Sequence, residues 1–227
     1  MAASKPVLHA FKSGLNRRVE IVFLAESETL LVFTFLLLAE LFFLPGLLIS
    51  IISPKYRVWP PPHKRSWQFW YVWILAIIGM VGVPIIGIID WGSLHIGGPV
   101  IAVAGITLIA TGMALAVWGV RTLSSDQSMG MKGEFITRGP YRYTRNPQYL
   151  GDVLLMIGIV LVTDSVMALV TGTLAILWFL LAPLAEEPWL SEQFGEEYEQ
   201  YCRRVPRFVS LRSFSRLTTD SALPEKE

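Results

Sequence analysis

The chain has 227 residues, of which 53% are hydrophobic and only 16% charged, with 19 Lys and Arg against 18 Asp and Glu. A soluble domain of this size carries roughly a quarter charged residues. The deficit excludes a disordered chain, a fibre and a highly charged nucleic-acid binder.

The charge deficit is concentrated in runs. Residues 1–27 carry Lys5, Lys12, Arg17 and Arg18, show no apolar signal core, and read as a segment lying along a membrane surface. Thr29 to Ile52 is broken only by Glu40, Ser66 to Ile89 has no charge, and Trp91 to Val120 has only His95 as an ionisable side chain. Ser165 to Ala185 is again uncharged. A run of ~18 or more apolar residues is long enough to cross a bilayer as a helix. The pattern predicts an all-α, polytopic membrane bundle of about five helices: 28–52, 67–90, 98–121, 148–163 and 165–185. The fourth rises roughly 24 Å, short of a ~30 Å hydrocarbon core. Pro147 suits its first turn, and Ser165 is placed to cap the fifth helix. The domain order is thus 1–27 interfacial, 28–121 three membrane helices, 122–210 a region of long polar stretches around a helical hairpin, and 211–227 a polar, disordered tail.

Of the 19 Lys and Arg, 15 lie in the first loop, the third loop and the tail, which share one side in a five-span topology. The positive-inside rule makes that side cytoplasmic. The stretches 122–147 and 186–227 then meet there, at the two ends of the hairpin, and any chemistry belongs where they meet.

Three blocks in this region stand out. Arg138-Gly-Pro-Tyr-Arg-Tyr-Thr-Arg-Asn-Pro-Gln-Tyr149 reads either as an interfacial anchor of Tyr and Arg or as part of a site. Glu186-Glu187 follows the fifth span directly. Two carboxylates at a helix C-terminus oppose its dipole, which a cation-binding role would explain better than a structural one. Leu190, Phe194, Tyr198 and Tyr201 recur at helical spacing, as expected for a C-terminal amphipathic helix over the site.

Elsewhere, Glu40 lies mid-span and reads as a proton or substrate contact, or as a protonated carboxyl bonded to a neighbouring helix. Asp152, one turn into the fourth helix, reads as a substrate-binding carboxylate or as an interfacial one. Gly105 and Gly112 suit close helix packing, or for Gly112 the approach of a substrate tail. The single cysteine, Cys202, excludes a cysteine-based zinc site, and His63 and His95 fall in different loops, so no metal is expected. No nucleic-acid partner is expected either.

Gly139-Pro-Tyr-Arg-Tyr-Thr-Arg-Asn-Pro-Gln-Tyr149-Leu-Gly151, then Glu186-Glu187-x-x-Leu190, then Phe194-Gly-Glu-Glu-Tyr198-x-x-Tyr201 and Val205-Pro-Arg207 together resemble the isoprenylcysteine carboxyl methyltransferase and phospholipid methyltransferase superfamily. The resemblance covers about residues 122–210. It implies a membrane methyltransferase using S-adenosyl-L-methionine, with a cofactor pocket facing the cytoplasm. It further implies that Glu134, Phe135 and Ile136 line the adenosyl side and that Tyr141 contacts the cofactor. Asn146, Pro147, Gln148 and Tyr149 would form the inner wall, and Glu186 and Glu187 would hold a cationic end. Arg145 would pair with Glu186 or with the cofactor carboxylate. No nucleophilic side chain is required, because methyl transfer needs mainly orientation and exclusion of water.

Two departures bear on the acceptor. Asn146 stands where the prenylcysteine branch has His, and Ala182 stands where that branch has an Arg for the substrate carboxylate. Both lean towards an amine-bearing lipid as the acceptor. A prenylcysteine carboxyl methyltransferase, an NADPH-dependent membrane reductase of the sterol reductase type, and a non-enzymatic membrane protein keeping the fold remain alternatives.

Overall fold

A computed structural model describes residues 4–210, with side chains from Glu26 onward. Among the described residues the secondary structure is entirely helical. In chain order the helices are α1 (Ser4–Ile52), α2 (Trp67–Ile89), α3 (Pro99–Thr122), the single turn α4 (Ser125–Ser128), α5 (Pro147–Thr163) and α6 (Val166–Arg204). Short 3-10 turns lie at Pro54–Tyr56 and Gly139–Arg142. Among the described residues four helices are long and apolar enough to cross a membrane: Glu26–Ile52 within α1, then α2, α3 and α6. α5 is the shorter apolar helix, as its length in the sequence implies. The polar tail after residue 210 lies outside the described residues.

Local chemistry explains the ends. Ser66 caps α2 by accepting from Phe69 N–H at 3.2 Å. Pro99 and Pro147 open α3 and α5, where their missing N–H has no helical partner to lose. Ser165 caps α6 through Ala168 N–H at 3.0 Å. Asp164, in the left-handed region at φ 51°, turns α5 into α6, and its carboxylate accepts from Ile96 and Gly97 N–H, both at 3.1 Å. Asp90 adds to this corner. Burial pushes its carboxyl up, but hydrogen bonds from Ser165, Ser93 and the start of α6 outweigh that and hold it below the usual range.

α3 joins the bundle almost wholly through α5. Glycines make the approach possible. A methyl group at Gly112 would lie 2.5 Å from the Gly151 carbonyl oxygen, and one at Gly105 would lie 3.0 Å from that of Gly158. Gly112 therefore serves close packing and faces α5, not a substrate tail.

α6 corrects one expectation. The fifth span runs on as helix through Glu186, Glu187 and Leu190 to Phe194, breaks at Gly195, whose φ of 53° and ψ of −131° are not helical, and α6 then ends in a re-aimed helical segment at Arg204. Glu186 and Glu187 therefore sit mid-helix. The helix-dipole argument drawn from a terminus after Ala185 does not apply, because the helix continues through them. Glu40 is buried against Gly79 of α2, and its Oε1 has no hydrogen-bond partner among the described residues.

Candidate functional site

A cavity of about 500 Å³ opens where α2, α3, α5 and α6 meet the 123–146 connector. Its size falls within the ~300–1,000 Å³ typical of small-molecule sites. Its floor is the start of α5. Tyr149 is the centre of a hydrogen-bond chain: the Trp59 indole N–H donates to its hydroxyl oxygen at 3.0 Å, and the hydroxyl donates to Glu186 Oε2 at 2.9 Å. The first bond fixes the direction of the second, because the phenol proton is then free for the carboxylate. Gln148 Nε2 donates to Tyr141 Oη at 3.2 Å and to Ser128 Oγ at 3.3 Å. Burial, with nearby Glu186 adding, pushes the Tyr141 phenol well above its ordinary range. Tyr141 therefore stays a neutral hydrogen-bond donor.

The far wall is aromatic. Phe135 packs against Phe194 with ring centroids 5.1 Å apart and edge-on to Tyr201 at 5.4 Å. Tyr201 Oη donates to the Tyr141 carbonyl at 2.7 Å, tying α6 to the connector. Gln127 Nε2 donates to the Glu134 carbonyl at 2.6 Å and shapes the segment carrying Glu134, Phe135 and Ile136.

Of the residues singled out in the sequence, Glu134, Phe135, Ile136, Tyr141, Arg145, Asn146, Gln148, Tyr149, Asp152 and Glu186 line this cavity. Pro147 and Glu187 do not. Pro147 is buried as the first residue of α5, beside Gly119. Glu187 faces the other way. Arg207 grips it with two hydrogen bonds, Nε at 2.8 Å and Nη2 at 2.6 Å, and Arg145 Nη2 approaches it at 3.1 Å. That pairing raises the Arg207 guanidinium above its ordinary value. The partner of Arg145 is thus Glu187, not Glu186. Successive helical residues point about 100° apart, so Glu186 faces the cavity while Glu187 faces Arg145 and Arg207. Asn146 Nδ2 donates to the Arg207 carbonyl at 3.0 Å, and Arg145 N–H to the Pro206 carbonyl at 2.9 Å. These bonds clamp the chain after α6 onto the entrance to α5.

The first loop enters the site unannounced by the motifs. Val58, Trp59, Pro60 and Pro61 are buried. Ser50 Oγ holds them by accepting from Val58 N–H at 2.8 Å and Trp59 N–H at 3.0 Å. The signal in the sequence is an apolar Val-Trp-Pro-Pro inside an otherwise basic loop. Trp73, Met80, Trp178 and Phe179 also line the cavity, and inside apolar spans nothing distinguishes such residues from core.

Residues 100–197 match the phospholipid methyltransferase family. This part of the chain resembles the isoprenylcysteine and phospholipid methyltransferase superfamily. The protein-S-isoprenylcysteine O-methyltransferase of Schizosaccharomyces pombe is 32% identical over 78 residues, 34% of this chain and 33% of that protein. The cobalt-zinc-cadmium resistance protein CzcN of Cupriavidus metallidurans is 31% identical over 114 residues, 49% of this chain and 51% of its own. The nickel-cobalt-cadmium resistance protein NccN of Alcaligenes xylosoxydans xylosoxydans is 28% identical over 137 residues, 58% of this chain and 60% of its own. The chain spans between about a third and three-fifths of the length of these relatives. No solved structure matches it. The matched region, residues 100–197, contains the connector, α5 and the Glu186 segment of α6. Trp59 and the α2 wall fall before it.

Proposed function

We propose that the protein transfers a methyl group from S-adenosyl-L-methionine to a hydrophobic acceptor drawn from the membrane, an amine-bearing lipid by preference. The observation that carries this reading is the Glu186 carboxylate, fixed by Tyr149 and Trp59 in an aromatic-walled cavity built largely from the residues that match the phospholipid methyltransferase family. The donor set fits the cofactor. Glu186 would hold its cationic end, and Arg145, whose buried Nε has no partner among the described residues, would meet its carboxylate. Phe135, Phe194 and Tyr198 would flank the adenine, with Glu134 and Ile136 beside them. When bound, the cofactor supplies an electrophilic methyl on a sulfonium. The chain's part is to align the acceptor and exclude water.

The membrane side of the cavity is walled by Trp73, Ala76 and Met80 of α2 and by Ala116 and Val120 of α3. Since α3 is held by α5, these two walls need not close on each other, and acyl chains would lie between them. Ala182, fully buried, offers no cation for a prenylcysteine carboxylate. The excess of Lys and Arg in the first loop, the third loop and the tail supports a cytoplasmic opening for the cavity. Two relatives are named for metal resistance. Among the described residues no group of three or more His, Cys, Asp or Glu is arranged for a metal ion.

Calorimetry of the purified protein with S-adenosylhomocysteine and with NADPH separates a methyltransferase from a reductase. Binding of the first alone is expected. Binding of NADPH alone overturns the reading, and binding of neither favours a non-enzymatic role. Radiolabelled transfer to phosphatidylethanolamine and to acetyl-farnesylcysteine in parallel then tests the acceptor. Labelling of farnesylcysteine alone would reverse the preference.

A further inference from the structure

Asp152 is the one carboxylate in the cavity that the cofactor reading leaves without a task among apolar walls. It lies on α5 one turn beyond Tyr149, lines the same cavity, and has no hydrogen-bond or ion-pair partner among the described residues. A carboxylate in an apolar helix is costly, so an unpaired one signals a partner that comes and goes. It is too deep in α5 to cap it, and its neighbours Gly151, Val153, Leu155 and Met156 supply the packing. The cavity around it holds Trp73, Tyr149 and Phe179, rings whose faces attract cations.

We propose that the Asp152 carboxylate holds the acceptor's ammonium group and takes its proton during methyl transfer. The proposal rests on the methyltransferase reading above and adds a residue to it. An ammonium has no lone pair and cannot attack. One N–H proton passes to an Asp152 oxygen, leaving a neutral amine and a neutral carboxyl. The nitrogen lone pair then forms the N–C bond as the C–S bond breaks, its electrons staying on sulfur. The positive charge moves from sulfonium to the methylated ammonium, and Asp152 returns its proton to water through the cavity mouth. The other ionisable groups lining the cavity are Glu186, Tyr198 and Tyr201 on α6, Tyr149 on α5, and Glu134, Tyr141 and Arg145 on the connector; α2 and α3 contribute none.

The test compares wild type, Asp152→Asn and Asp152→Glu in nanodiscs containing phosphatidylethanolamine. S-adenosylhomocysteine affinity should stay within twofold in all three. The Asn variant should lose 100-fold or more of kcat. Its remaining rate should climb about tenfold per pH unit towards the amine's own pKa, because only amine already neutral can react. The Glu variant should recover part of the rate and the flatter profile. An Asn variant that binds the cofactor product and transfers within threefold of wild type, with an unchanged profile, overturns the proposal alone. Loss of S-adenosylhomocysteine binding in the Asn variant also overturns it, by assigning Asp152 to the cofactor or the fold. Absence of transfer by wild type to any amine-bearing lipid overturns both this proposal and the acceptor reading beneath it.

Discussion

Glu186 and Glu187 are adjacent in sequence and opposed in space. Glu186 receives the Tyr149 hydroxyl inside the cavity, whereas Glu187 is enclosed by Arg145 and Arg207 behind it. Their substitutions should therefore separate two properties. Glu186→Gln removes a charge-assisted contact to a cationic ligand, worth roughly 1.5–3 kcal/mol, so S-adenosylhomocysteine affinity should fall tenfold or more with little change in melting temperature. Glu187→Gln leaves two arginines facing a neutral amide in a site only 17% exposed. Breaking such a pair costs roughly 2–4 kcal/mol after allowing for its partial exposure. The melting temperature should drop by about 5 °C or more, while affinity stays within a few-fold. Equal losses of affinity in both variants, measured by calorimetry, would mean that the two glutamates act on the ligand together.

At the level of elements, the pairing of α3 with α5 carries the acceptor side of the cavity. Gly112 and Gly151 bring the two backbones into direct contact, and Gly119 rests on Gln148, which itself lines the cavity. Backbone atoms cannot move aside as a flexible side chain does. Gly112→Ala should push the helices apart at a cost of about 1–3 kcal/mol. Gly98→Ala, at the N-cap of α3 with nothing within 4 Å, adds the same methyl without a clash and should cost less, no more than the ~1 kcal/mol of a weakened cap. Thermal melts of both in the same detergent give the comparison, and equal stability would show that α3 tolerates a shift. Small residues in α3 already pointed to close packing in the sequence. Their partner did not, because a stripe of glycine is equally suited to any apolar helix.

For the whole molecule, the apolar spans and the asymmetry of basic residues give a topology that can be measured. Single cysteines at Trp91, between α2 and α3, and at Lys132, in the connector, both occupy exposed positions. In a Cys202→Ser background they should react with a membrane-impermeant reagent from opposite sides, Lys132 from the cytoplasm. Labelling of both from one side would break the topology and detach the cavity from the cytoplasmic pool of cofactor. The same scale explains why the first loop belongs to the site. Ser50 at the end of α1 folds Val58 and Trp59 inwards, and Trp59 then spans from a loop before the matched region to its central tyrosine.

The number and order of the apolar helices were legible because crossing length and hydrophobicity are properties of single segments of about 20 residues, set against a bilayer of fixed thickness. The connector and the Glu-Glu segment were legible for a similar reason, since each motif is contiguous. The continuity of α6 through the Glu pair was not, because Pro183 and Pro188 suggest an end that tertiary packing overrides, whereas the true break comes later, at Gly195. The division between Glu186 and Glu187 was also out of reach. It depends on the rotation of α6 about its own axis, which is fixed by where Trp178, Phe179 and Ala182 pack against the other helices, and no local pattern encodes that phase.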